Sequence, residues 1–88
     1  MSRLIPAAER IRRARALIQE ARDLPVPPEF GRNDFTYIAQ VKDLLRQARD
    51  LIKFFSLTPS ATAEMKAEVK ELFAEADRAD EEILHGRP

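Results

Sequence analysis

The chain has 88 residues, no cysteine and a formal net charge of zero. This length predicts one domain, residues 1–88, with a thin core that buries only about 60–65% of the surface exposed by the unfolded chain, and the absence of cysteine excludes disulfides and thiolate zinc sites. Hydrophobic residues (44%) and charged residues (34%) occur in proportions typical of a folded helical protein rather than a disordered chain.

The first predicted helix covers residues 6–24. Pro6 suits a first helical position, where a missing N–H removes no helical hydrogen bond. Apolar residues then recur every three or four positions, and isoleucine alternates with alanine, so a neighbouring helix can approach closely. This row comprises Ala7, Ile11, Ala14, Ile18 and Ala21, with Leu17 and Leu24 beside it.

Prolines end this helix and stiffen the connection that follows, residues 25–33. Pro27 and Pro28 lack N–H donors, and each proline disfavours helical backbone at the residue before it. We expect Phe30 to cap one end of the bundle, with Val26 beside it. Because the connection is long for two bundled helices, it is a second place to search for a partner site.

The second predicted helix, residues 34–55, is the one around which the fold is organised. Asn33 or Asp34 is a suitable N-cap, and the apolar residues span an arc of roughly 140° at about 100° per residue. An arc of this width predicts contact with two neighbouring helices. Its members are Ile38, Val41, Leu45, Ala48, Ile52 and Phe55, flanked by Tyr37, Leu44 and Leu51.

The third predicted helix covers residues 62–84, with Gly86 just past its end. Thr58 and Pro59 could form its cap and first turn, but Glu64 in the first turn favours Thr62 as the N-cap. Since no stretch alternates like a strand, the predicted fold class is all-α, an up-down-up three-helix bundle that dimerisation could complete. The apolar row of this helix contains Met65, Val69, Leu72, Ala76, Ala79 and Ile83, joined by Phe73.

Charge is unevenly distributed along the chain. Residues 1–24 carry six arginines and three acids, whereas residues 57–88 carry four bases and eight acids. Basic edges on the first two helices favour either a nucleic-acid face or helix–helix seams, and zero net charge favours the seams. The basic edges are Arg12, Arg15, Arg22, Lys42, Arg46, Arg49 and Lys53; the acidic edge of the third helix is Glu64, Glu68, Glu71, Glu75 and Glu82.

One short motif has the spacing of a metal site. Glu82 and His85 form the Glu-x-x-His pair found in di-iron bundles. Glu82, however, falls on the acidic edge rather than in the apolar row, and His85 directly precedes the predicted helix stop. We therefore predict no metal and no cofactor, and a metal- or anion-using helical enzyme is the third functional alternative.

The second helix also carries apolar residues that a three-helix monomer would leave partly exposed. These residues predict a protein-interaction module without a catalytic centre, a homodimer or a binder of another protein, with nucleic-acid association as the alternative. Arginines interrupt every apolar run near the N-terminus, so we expect no membrane span and a cytoplasmic location. The candidate interface residues are Tyr37, Leu44, Leu51, Phe35 and Phe54.

Overall fold

The computed structural model describes residues 6–55 and 61–85, and within them the chain is an all-α three-helix bundle. The helices are α1 (Ala7–Asp23), α2 (Phe35–Ile52) and α3 (Ala63–His85), and a short 3-10 helix, Gly31–Asn33, precedes α2. Each predicted helix is present. The second is shorter than predicted, because a turn at residues 53–54 separates Ile52 from Phe55.

Ion pairs between the helices define their relative directions. Arg15 of α1 pairs with Glu68 of α3, and Arg22, further along α1, pairs with Glu75, further along α3. Because both partners advance in the same direction, α1 and α3 run parallel. The helix between them, α2, runs in the opposite direction and packs against both. The topology is therefore up-down-up.

Two of the helices begin at side-chain caps. The Asp34 carboxylate accepts a hydrogen bond from the backbone N–H of Tyr37 at 2.9 Å, and the Thr62 hydroxyl accepts one from the N–H of Met65 at 3.1 Å. Each cap satisfies one donor that the first turn of a helix leaves without a partner. Pro6 precedes α1, where its carbonyl accepts from the N–H of Glu9 and of Arg10. The predicted stop at Gly86 lies outside the described residues.

The core is a narrow stripe in which α2 and Phe55, which follows it after the turn, supply the largest side chains. Val41, Leu45, Ile52 and Phe55 are the largest fully buried residues. The facing surface of α1 contributes only two isoleucines and two alanines, so the two helices lie close together. The buried set is Ile11, Ala14, Ile18, Ala21, Tyr37, Val41, Leu45, Ala48, Ile52, Phe55, Val69, Leu72, Ala76 and Ala79.

The connection between α1 and α2 does not cap the bundle, so the expectation for Phe30 and Val26 is wrong. Phe30 is 66% exposed and Val26 is also exposed. The N–H of Gly31 donates to the carbonyl of Pro27 at 3.0 Å, and Gly31 adopts a φ of +57°, which favours glycine. These local bonds fold the connection on itself instead of over the core.

We predict that the α2 face toward α1 and α3 dominates stability. Leu45 is fully buried, so Leu45→Ala should lower the free energy of unfolding by about 2–5 kcal/mol. Ala39 is exposed on the same helix, and Ala39→Ser should change it by less than about 0.5 kcal/mol. Denaturant titration followed by circular dichroism measures both. Similar small losses at the two positions would contradict this packing.

Candidate functional site

The acidic edge of α3 lies against the basic residues of α1. Arg15 is 3.2 Å from Glu68, and Arg22 lies between Glu75 at 3.4 Å and Glu82 at 2.5 Å. The side chain of Arg22 is largely covered by its surroundings, so its two ion pairs are less screened by water than those at the surface. This is the seam arrangement that the sequence favoured.

The basic edge of α2 is paired in a similar way. Lys42 is 3.5 Å from Asp80, and Arg49 is 2.9 Å from Asp77, both across the α2–α3 seam. The remaining three basic residues pair with acids on their own helices. All seven predicted basic-edge residues thus have a carboxylate partner: the same-helix pairs are Arg12 with Glu9, Arg46 with Asp43 and Asp50, and Lys53 with Asp50.

The closest pairs shift the pKa of their members. The hydrogen bond to Glu82 is the main reason that the pKa of Arg22 is raised, with a further contribution from Glu75. The hydrogen bond from Arg46 lowers the pKa of Asp43, and the amide of Gln47, which donates to Asp43 at 2.7 Å, adds to this effect. These carboxylates compete with any phosphate for the basic residues.

The Glu-x-x-His pair does not converge on one point. Glu82 is held by Arg22 on the α1 side of α3, whereas His85 is exposed and lines a shallow groove on the α2 side with Lys42. Within residues 6–55 and 61–85, no group of three His, Cys, Asp or Glu side chains could hold a metal ion. The two residues are therefore parts of two different surfaces.

The five candidate interface residues do not form one surface. Tyr37 is 3% exposed and belongs to the core, so it is not available to a partner. It lies in the first turn of α2, beside the backbone of the 3-10 helix that enters there. A helical wheel places Tyr37 near Leu44 because it shows only direction around the helix. It does not show that the 3-10 helix lies beside the first turn of α2.

The two phenylalanines are exposed, and they lie in different places. Phe35 is 89% exposed, and its direction from α2 differs from those of Leu44 and Leu51 by about 160–180°. It is closer along the chain to Phe30, so these two rings mark the end of the molecule where α1 connects to α2. Phe54 is 60% exposed, and the Lys53 ammonium lies 5.2 Å from its ring centroid.

Leu44 and Leu51 belong to the outer face of the α1–α2 hairpin. Both are half-buried and pack against the core. An open groove of about 580 Å³ follows this face, with Leu17 opposite Leu51 and charged side chains along its rims. We call this surface the hairpin groove; it is lined by Arg13, Ala16, Leu17, Glu20, Gln47, Asp50 and Leu51.

Of the residues that line the hairpin groove, sequence reasoning named only Leu51 as an interface candidate. The α1 half, from Arg13 to Glu20, was not singled out as a candidate site, although Leu17 was placed beside the apolar row. The sequence signal was a seven-residue repeat, which brings side chains back to the same face of α1. On this face, charged residues lie at positions 13 and 20, with small and apolar residues between them.

We predict that Arg22 is the most important ion-pairing residue for stability. Arg22→Met keeps most of the aliphatic length but leaves Glu75 and Glu82 without their shared cation, so the free energy of unfolding should fall by about 1 kcal/mol at low salt. The loss should shrink as salt is added. Arg46→Met, which breaks only exposed pairs within α2, is the control and should lose less stability than Arg22→Met. A loss at Arg22 that does not respond to salt would contradict an electrostatic seam.

Comparison of the chain with family models, with curated proteins and with solved structures gives no match. In the part of the chain that the structure describes, none of the helices has the length and apolar character needed to cross a membrane. The functional proposal is therefore based on the hairpin groove and on the exposed rings of Phe30 and Phe35, which we call the aromatic end, and not on a likeness to another protein.

Proposed function

We propose that this protein is a small helical interaction module without a catalytic centre, and that it self-associates through the hairpin groove. The observation that carries the proposal is the row of half-buried leucines, Leu17, Leu44 and Leu51, along the outer face of α1 and α2. These side chains already contact the core from one side. A second helical layer would remove their other side from water, at about 25 cal/mol for each Å² of apolar surface.

The pairing of the basic edges supports contact with protein rather than with nucleic acid. Arg15, Arg22, Lys42 and Arg49 hold α3 against the other helices, so binding phosphate through them would break ion pairs within the bundle. The hairpin groove lies on the opposite side of α1 and α2 from this network. A partner can therefore cover the groove while the bundle stays intact.

The size of the hairpin face indicates the strength of the association. Two helices of 17 and 18 residues are about 25 Å long and, packed side by side, present a face about 20 Å wide. Covering such a face in two copies removes on the order of 1,000 Å² from water, near the lower limit for specific complexes. We expect a dimer that dissociates in the micromolar range.

We predict that the chain sediments at twice its 10.1 kDa mass at high micromolar concentration. Ala16 is exposed within the hairpin groove, so Ala16→Glu removes no core contact but places a longer, charged side chain against the leucines of the interface. The dimer Kd should rise at least about tenfold. Analytical ultracentrifugation over a concentration series measures this change, and circular dichroism verifies that the variant remains folded.

A matched control is Ala39→Glu, which makes the same change at an exposed α2 position about 120–140° from Leu44 and Leu51. It should leave the Kd within about twofold of the wild type. Phe35→Ser tests the rival aromatic surface, and it should also leave the Kd unchanged. A monomer at all concentrations would reject self-association, and a dimer that responds to Phe35→Ser but not to Ala16→Glu would place the interface at the aromatic end instead.

A further inference from the structure

The α1 wall of the hairpin groove has charges of opposite sign at equal distances from its centre. Arg13 and Glu20 are seven residues apart, about 10.5 Å along the helix, and share one direction. Ala16 and Leu17 lie midway between them. A surface with this order is complementary to its own copy turned end for end.

The α2 wall has an apolar residue close to the same centre. Leu51 lies in the groove opposite Leu17, which is next to the midpoint of the α1 wall. Since α1 and α2 are antiparallel, Gln47 lies toward the Glu20 end of the groove. Leu51 is therefore at nearly the same height along the bundle as the centre of the α1 wall.

We infer that the occupant of the hairpin groove is a second copy of this chain, related by a two-fold axis that crosses α1 between Ala16 and Leu17 at right angles to the helix. This inference rests on the proposed function and adds the relative orientation of the two copies. The axis brings Arg13 of each copy opposite Glu20 of the other, twice per dimer. It also brings the Leu51 side chains of the two copies close to each other, in a self-complementary contact.

The hydrogen-bonding state of the two charged residues supports this register. Arg13 donates through Nε to Glu9 at 3.0 Å, and its side chain is more than half exposed, so its terminal nitrogens can still form a bond with a second carboxylate. Glu20 is exposed and makes no ion pair within residues 6–55 and 61–85. The dimer supplies Glu20 with a cation.

A two-fold axis parallel to the helices is the competing arrangement. It would place α1 over α2 of the other copy, where Asp50 is the carboxylate that lines the groove. Asp50 already pairs with Arg46 at 3.0 Å and with Lys53 at 3.2 Å, so it gains less from another cation than Glu20 does. The end-for-end arrangement is the one that gives a charged partner to an unpaired residue.

Charge reversal distinguishes these arrangements. Arg13→Glu alone places a second carboxylate opposite Glu20 at both contacts, and Glu20→Arg alone places a second guanidinium opposite Arg13 at both contacts. Each variant should therefore dissociate at least about tenfold more readily than the wild type. In an equimolar mixture of the two variants, the heterodimer has opposite charges at both contacts, because the two substituted side chains face each other and the native Glu20 of one copy faces the native Arg13 of the other. Sedimentation of the mixture should show a heterodimer with a Kd within about threefold of the wild type, weakened by added salt.

The matched control is Arg12→Glu, which changes the same charge one residue away, about 90° from the centre of the groove wall, and also loses a pair with Glu9. Its dimer should keep the wild-type Kd. If both single variants dimerise like the wild type although Ala16→Glu abolishes the dimer, the end-for-end register is wrong while self-association through the groove stands. Rescue of Arg13→Glu by Asp50→Arg, but not by Glu20→Arg, would overturn it in favour of the parallel axis.

A cross-link gives an independent measurement of the axis. The chain has no cysteine, so Ala16→Cys introduces a single thiol. Residue 16 lies next to the proposed axis, so the axis brings the residue 16 Cα atoms of the two copies close together. A disulfide requires Cα atoms within about 7 Å of each other. Mild oxidation should give a covalent dimer from Ala16→Cys and not from Ala39→Cys. Equal cross-linking of the two, or none from Ala16→Cys when ultracentrifugation detects a dimer, would overturn the proposed axis.

Discussion

The close packing of α1 against α2 is the constraint on which the rest of the structure depends. Ala14 and Ala21 on α1 and Ala48 on α2 are all fully buried, with no side chain beyond a methyl group to hold the helices apart. The separation of two helices is set by the side chains at their contact, so alanine gives the short end of the range, near 8 Å. Burial of small residues yields little apolar area for each turn of helix. The α1–α2 contact is therefore close but contributes less stabilisation than a contact between leucines.

This close contact determines where the larger apolar residues lie. When two helices are close together, a leucine beside the seam cannot fit between them and lies at the margin of the contact. Leu17, Leu44 and Leu51 take this position and are half-buried, while Leu45 and Ile52 extend to the side that α3 covers. The close α1–α2 contact thus separates the core, on the side of α3, from the hairpin groove on the other side. Covering the groove by a second hairpin would complete the burial that α3 begins on the other side.

Much of the fold could be predicted from the sequence, because the relevant signals are local. Residue type and position left Asn33 and Asp34 as candidate caps of α2 and favoured Thr62 for α3, and Asp34 and Thr62 each accept the expected backbone hydrogen bond. The apolar rows of α1 and α3 followed from spacing alone. The exact phase of α2 could not be predicted, because Tyr37 and Ile38 both fit the arc and only the packing at its first turn determines that Tyr37 is the buried one. Phe30 was misplaced for a related reason, since local bonds of the connection, not hydrophobicity, determine its direction.

The charged residues show which part of the candidate site is not encoded locally. Their edges were visible in the sequence, but the partner of each charge depends on which helices are neighbours. Arg22 reaches Glu82 across sixty positions of the chain, and no spacing rule specifies that pair. Once α1 and α3 are known to be parallel neighbours, the acidic edge of α3 accounts for Arg15 and Arg22, while Arg13 and Glu20 lie on the other side of α1, away from that edge. The two charges on the α1 wall of the groove are therefore not used in pairing between the helices, and they lie at its two ends with opposite signs.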